Sequence, residues 1–338
     1  MPFDIHRGTN ISHSPWLGES KARGPERRAH FTRTDVQRLA GLGLDHLRIP
    51  IDEEQMWTER GQREKEAFDL LDAALDWCKE AGLRAVVDLH ILRTHTFPAG
   101  EEPRLFTDPA EEGRFAGLWQ DLSAHLKRRS NDLVAYELLN EPVAADPADW
   151  NRVARAAVEA VRRLEPERTI VLGSNRWNSA AAFWDLEPPQ GDTHVVLTFH
   201  YYRPMLITHY RASWMPLGKY DGPVHYPGQP IGPHDWEKLP GDMRNLLAAE
   251  NAFHNASVME RDLAAPLAVR KGTHLGLYCG EFGVIRSAPE AVRTAWLRDF
   301  RSVLAKHGIA WANWDYRGLF GLFDEKGRPT AVVEALLK

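Results

Sequence analysis

Eight short apolar runs, spread over 338 residues and separated by amphipathic segments, predict an α/β fold of the (β/α)8 TIM-barrel type. Two further observations favour the barrel over a doubly wound open sheet. Ionisable and aromatic residues bunch at the C-terminal ends of the runs, and no Gly-x-Gly-x-x-Gly follows the first of them. The length suits one barrel of roughly 250 residues plus insertions. Residues 1–338 are therefore expected to form a single domain with a long loop after the sixth strand.

The expected strands are 3–9 (FDIHRGT), 45–50 (DHLRIP), 84–90 (RAVVDLH), 133–141 (LVAYELLNE), 168–174 (RTIVLGS), 194–202 (HVVLTFHYY), 275–284 (LGLYCGEFGV) and 308–316 (GIAWANWDY). Most have an almost continuously apolar centre, as parallel strands covered on both faces require.

Helical spacing fills the gaps. At 34–43, Thr34 and Gln37 suit a capping box, and Gly41 and Gly43 mark the exit. Over 66–81, Phe68, Leu71, Ala74, Leu75 and Cys78 recur on one face before Gly82. The segments 111–129, 149–164, 241–270, 289–307 and 330–337 repeat the pattern, whereas SAAAFWDL after the fifth strand is a weak helix. Residues 203–240 are rich in Pro, Gly, Tyr and Trp and show no helical period. A long loop of this kind is usually functional, and on a barrel it would overhang the C-terminal face.

Composition narrows the function classes. The net charge of −5 comes from 47 acidic and 42 basic residues, and no Lys/Arg-rich run is present, so a nucleic-acid partner is not expected. No apolar stretch approaches the roughly 20 residues of a membrane helix, so no membrane partner is expected either. MPFDIHRGTN lacks the basic and apolar regions of a signal peptide, which leaves a cytoplasmic protein or a secreted one whose leader has been removed. Two cysteines, Cys78 and Cys279, make no disulfide framework and read as buried thiols. The charged run 21–28 (KARGPERR) reads as a solvated loop. Oligomeric state is left open.

The chemistry gathers where the strands end. Arg48 ends the second strand, His90 the third, Asn140 and Glu141 the fourth, and His200 and Tyr202 the sixth; Glu281 lies on the seventh and Trp314 on the eighth. In a barrel these positions converge on one rim. Two glutamates facing each other there suit glycoside cleavage, which needs one carboxyl to protonate the leaving oxygen and another to attack carbon or activate water. Glu137, four residues below Glu141, reads as buried and paired. Twelve tryptophans add flat aromatic faces suited to sugar rings. Trp16, Trp177, Trp214 and Trp236 fall in or beside loops as possible subsites, together with His95 and Asp315.

These motifs, in this order, resemble glycoside hydrolase family 5, the cellulase-like group of barrels with catalytic glutamates on strands four and seven. The resemblance runs from RGTNIS (7–12) through HLRIP (46–50), DLH (88–90), LLNEP (138–142), FHYY (199–202) and GEFGV (280–284) to WANWDYRGLFGL (311–322). It implies a retaining β-glycoside hydrolase with Glu141 as acid/base and Glu281 as nucleophile. By the same resemblance Asn140 binds the sugar 2-hydroxyl, Arg48 and Tyr202 hold the nucleophile, His90 and His200 orient the sugar at the cleavage point, and Trp314 is its stacking platform. No cofactor or metal is implied, and the partner is a carbohydrate substrate of β-linked glucan or mannan type. Endo-β-1,4-glucanase is the first choice, with β-mannanase and exo-acting β-glucosidase or mannosidase behind it. A nucleophile beside Arg48 should have its pKa lowered, and an acid near a second carboxylate should have it raised.

Two readings from other classes compete. A metal-dependent barrel hydrolase has 15 histidines to draw on, but the first strand offers only His6 and no His-x-His pair. A non-catalytic carbohydrate-binding barrel would not need both glutamates.

Overall fold

The computed structural model describes residues 3–11, 16–18, 23–96 and 102–338. Most of HSPWLGES (13–20), Ser12 of the first motif and the start of the 21–28 run lie outside the described residues. Eight parallel strands close into a barrel in sequence order. They are β1 (Arg7–Asn10), β2 (His46–Asp52), β3 (Arg84–Ile91), β4 (Val134–Glu137), β5 (Ile170–Gly173), β6 (Val195–Tyr201), β7 (Gly276–Phe282) and β8 (Ala310–Asn313). β1 pairs with β2 on one side and β8 on the other, which closes the ring.

Two cores result. Inside the ring, Val86, Ala135, Val171, Val196, Tyr278 and Ala312 pack with Phe3 and Ile5. Residues 3–6, expected to begin the first strand, instead belong to the segment that supplies this apolar filling. Outside the ring, the amphipathic helices cover the strands. Phe68, Leu71, Ala74, Leu75 and Cys78 of the helix Lys65–Glu80 are all buried, and the Glu64 carboxylate accepts from Ala67 N at 2.8 Å to cap it. Cys78 and Cys279 are both buried free thiols.

Several expectations need correction. The helix Arg33–Gly41 is capped by Thr32 rather than Thr34, and the Asp35 carboxylate accepts from Thr32 N at 2.8 Å. Residues 241–270 form no single helix. Three short ones appear instead, Gly241–Leu247, Ala256–Asp262 and Ala264–Thr273, with Asn255 capping the second through Val258 N. Ala180–Asp185 is a 3-10 turn. The 21–28 run is not simply a solvated loop: the helix Pro25–His30 begins within it, and Arg27 is fully buried, donating to Trp16 O at 2.5 Å.

The long loop after β6 carries short helices at Met205–Thr208, Pro216–Lys219 and Pro233–Lys238. It is fastened to the barrel at several points. Tyr226 donates to Asp299 at 2.7 Å, Ile285 N to Thr208 O at 2.9 Å, and Trp296 Nε1 to Arg203 O at 3.0 Å. Alternation along β6 sends Tyr201 outward, stacked on Phe300 at 4.5 Å with its hydroxyl on Asp262. His200 and Tyr202 consequently face the barrel mouth.

Candidate active site

Arg48 organises the mouth. It is fully buried on β2 and surrounded by oxygen atoms. Its guanidinium grips Glu137 in two-pronged fashion, with Nε to Oε2 at 2.7 Å and Nη2 to Oε1 at 2.9 Å. The three remaining donors reach Asn10 Oδ1 at 2.8 Å, Asn140 Oδ1 at 2.9 Å and Glu281 Oε1 at 2.7 Å, and Asp88 forms an ion pair with Nη2 at 3.0 Å. A planar five-donor fork is the side chain able to satisfy so many acceptors at once. Because Asn140 Oδ1 is committed to Arg48, what its side chain has left to offer is its two amide N–H donors.

Glu281 is aimed by a bulge. Phe199 pairs with Cys279 but His200 pairs with Glu281, so Gly280 is the extra residue. A Cβ at Gly280 would meet Thr198 Oγ1 at 2.8 Å, which is why this position is glycine. Tyr202 donates its hydroxyl to Glu281 Oε2 at 2.9 Å, so both carboxylate oxygens are held. Glu141 follows the end of β4 in a left-handed backbone conformation, φ 48°. Such a conformation in a residue other than glycine costs on the order of 1 kcal/mol or more and marks a site worth inspecting. Its Oε1 lies 3.0 Å from Nδ1 of His200, and the same nitrogen is 3.6 Å from Glu281 Oε2.

Carboxylate oxygens of Glu141 and Glu281 and a ring nitrogen of His200 lie within 4.8 Å of one another. Among the described residues this is the one cluster with spacing suited to a metal ion. Arg48, 2.7 Å from Glu281, already supplies the positive charge there, and a second cation would be repelled.

Burial sets the protonation order. It raises Glu141 well above the usual carboxylate range, and neighbouring Glu281 raises it further. Glu281 is pushed up to about 7 by burial, opposed by Arg48 and by the Tyr202 hydroxyl. The expected depression of the Glu281 pKa is thus overturned, because desolvation outweighs the pull of one guanidinium. The order survives: Glu281 ionises before Glu141. His200 is held well below its ordinary value by burial, then by Arg48 and His90, and is a neutral imidazole.

Around this pair, His90 is buried with Nδ1 2.6 Å from Asp88, and its ring stacks on half-buried Trp314 at 5.7 Å and 12°. Trp177 and Trp214 are 48% and 57% exposed. Trp177 N donates to Pro142 O at 3.2 Å, beside Glu141, and Trp214 packs edge-on against His209, which packs on Tyr202.

The other possible subsites are buried or line a separate crevice. Trp16 is 1% exposed and packed on Phe31, so its ring offers no open face. His95 is equally buried, edge-on to Phe106 and against the backbone of Glu141, so it packs behind the acid rather than lining an open subsite. Trp236 is half-buried and lines a crevice with Ile231 and Asn251 whose walls include none of the residues above. Asp315 is buried, and its carbonyl accepts from Leu322 N at 2.9 Å within the loop after β8.

Asn10, Asp88 and Asn178 also belong to the site, although the sequence did not single them out. Asp88 carries a legible signal, a carboxylate amid the apolar residues of β3; Asn10, in the polar run RGTN, and Asn178 carry none.

A carboxylic acid and a carboxylate facing each other at the mouth of a (β/α)8 barrel, with aromatic rings beside them, define a glycoside hydrolase. The model of the cellulase family, glycosyl hydrolase family 5, matches residues 9–318, and the chain belongs to that family. It is 30% identical over 323 residues to endoglucanase C of Acetivibrio thermocellus, covering 94% of this chain and 93% of that protein. Cellodextrinase A of Ruminococcus flavefaciens is 28% identical over 309 residues, with 90% and 84% covered. Among solved structures, the endoglucanase of Thermotoga maritima superposes with a TM-score of 0.77 over 98% of this chain and 96% of that one, at 23% identity. That likeness establishes the fold.

Proposed function

We propose that the chain is a retaining endo-β-1,4-glucanase with Glu281 as nucleophile and Glu141 as acid/base. One observation carries the reading: carboxylate oxygens of the two residues lie within 4.8 Å. Retention needs about 5–5.5 Å between the carboxyls, and inversion about 6.5–9.5 Å to admit a water. The sequence relatives named as endoglucanase and cellodextrinase support the choice of a β-1,4-glucan.

In the first step a Glu281 oxygen bonds to the anomeric carbon as the glycosidic C–O bond breaks. Glu141 gives its proton to the departing oxygen. Glu141, now ionised, takes a proton from water, whose oxygen attacks the anomeric carbon and releases Glu281. Arg48 and Tyr202 aim the nucleophile, Asn140 offers its amide to the sugar 2-hydroxyl, and Trp314 lies under the sugar being cleaved.

Anomer-resolved NMR on cello-oligosaccharides tests this directly. The expected first product is the β-anomer, from internal cleavage of long chains; an α-anomer, or release of single units from one end, would defeat the retaining or the endo assignment respectively. A panel of β-glucans, mannans and xylans decides the sugar. Glu281→Gln should lose turnover by at least about 10⁴-fold while still binding oligosaccharide.

A further inference from the structure

We propose that Asn178 is a positioning residue that, through His200, fixes the tautomer and aim of the group holding the Glu141 carboxyl. The inference rests on the acid/base role given to Glu141 above. Asn178 is fully buried, and its Nδ2 lies 3.2 Å from Nε2 of His200. The opposite ring nitrogen of His200 faces Glu141 Oε1 at 3.0 Å, with Glu281 Oε2 at 3.6 Å. A neutral imidazole has one N–H donor and one lone-pair acceptor. An amide N–H pointing at Nε2 demands a lone pair there, so the proton sits on Nδ1 and is donated towards Glu141. The tautomer of an imidazole is set by what its other nitrogen touches.

The backbone independently marks the same turn as a constrained one. Arg176, Trp177 and Asn178 run left-handed in succession, at φ 55°, 60° and 52°. None is glycine. Strain of this kind persists where surrounding structure enforces it, and it concentrates at functional sites. Here Ser179 pairs with His200 across an isolated bridge, bringing this turn against the end of β6. Gly173 completes the cradle: a Cβ on it would meet Asn178 Oδ1 at 2.3 Å.

The charged and titratable groups facing His200 are Glu141 and Glu281, with Arg48 and His90 near enough to disfavour its protonation. A neutral donor on Glu141 stabilises its carboxylate without adding charge. It also leaves the other Glu141 oxygen to carry the catalytic proton.

The test uses leaving-group dependence, which a merely structural residue does not change. Phenyl β-cellobioside needs its leaving oxygen protonated; 2,4-dinitrophenyl β-cellobioside does not. Asn178→Ala is expected to lower kcat/KM on the phenyl substrate by about 10- to 100-fold, part of the 10²–10⁴ that proton transfer contributes. On the dinitrophenyl substrate the loss should be under about 3-fold, and Glu141→Gln should show the same selectivity, more strongly. Equal losses for Asn178→Ala on both substrates, with Glu141→Gln selective, would overturn the inference alone. A non-selective Glu141→Gln would overturn the acid assignment and the inference with it. A measurement on the unaltered enzyme stands apart from any folding defect: nitrogen-15 NMR of histidine-labelled protein should show His200 neutral with its proton on Nδ1. A proton on Nε2 would refute the proposal.

Discussion

Nη1 of Arg48 donates to Oε1 of Glu281 across 2.7 Å, with one side chain fully buried and the other nearly so. The same guanidinium also holds Glu137 and Asp88, so one positive charge is shared by three carboxylates inside a closed barrel. Removing one partner of a buried ionic cluster leaves the others desolvated and uncompensated, at about 3–5 kcal/mol. Arg48→Met should destabilise the fold by that amount in urea unfolding. A change under about 1 kcal/mol would show that the cluster is solvated after all.

The pH profile follows from the same charges. On the proposed assignment, activity needs Glu281 ionised and Glu141 protonated, so kcat/KM is expected to rise as Glu281 loses its proton near pH 7 and to fall as Glu141 loses its own at higher pH. Glu137 raises the Glu281 pKa by like-charge repulsion. Glu137→Gln removes that repulsion and frees more of Arg48 for Glu281. The acidic limb should therefore move to lower pH; a shift upwards, or none, would contradict this arrangement.

Along the acidic limb, stability should respond in the opposite sense to activity. Both site carboxyls have folded-state pKa values above the unfolded value of 4.5, Glu281 at about 7. The folded state then holds protons that the unfolded chain releases. Stability is intact below pH 4.5 and is lost as pH rises through the folded values, at about 1.4 kcal/mol per pH unit for each carboxyl that stays protonated only when folded. Glu141→Gln removes one such group. Its Tm relative to the unaltered protein should be higher at pH 8 than at pH 5, and an equal difference at both would refute the linkage.

Why some of this is legible from sequence and some is not has a physical basis. Strand order and most residues near strand ends follow from periodicity, because apolar runs that lead into His90, Glu141 and Glu281 have few other uses; Arg48, expected to end β2, is instead its third residue. Loops carry no such period. Trp16 and His95 stand in polar surroundings in sequence, yet Phe31 and Phe106, brought back over them by the chain that follows, pack against them. The 241–270 segment has helical composition throughout, but the His254–Gly228 backbone pairing interrupts it. Arg48, the partner expected to acidify Glu281, is visible in the motifs; desolvation of the whole cluster is not.

Two exposed rings make the subsite reading testable. Trp177 and Trp214 stand beside Glu141 and Tyr202 through Pro142 and His209. Covering roughly 40 Å² of an aromatic face with a sugar is worth about 1 kcal/mol at about 25 cal/mol per Å². Trp177→Ala and Trp214→Ala should each raise KM on cellohexaose by roughly 5-fold, with little change on an aryl cellobioside too short to reach them. Equal effects on both substrates would place these rings at the cleavage point instead.

Gly173 offers a way to disturb Asn178 without altering it. The glycine ends β5, and its carbonyl accepts from Trp150 Nε1 at 2.9 Å, so the backbone there is fixed. A methyl group would meet Asn178 Oδ1 at 2.3 Å and Cγ at 2.7 Å, closer than real Cβ contacts come. Since Trp150 holds the strand in place, the asparagine must yield, and its amide moves off Nε2 of His200. Gly173→Ala should therefore reproduce the leaving-group selectivity of Asn178→Ala, and combining the two should add little. Fully additive losses in kcat/KM would mean that the methyl group acts through something other than Asn178.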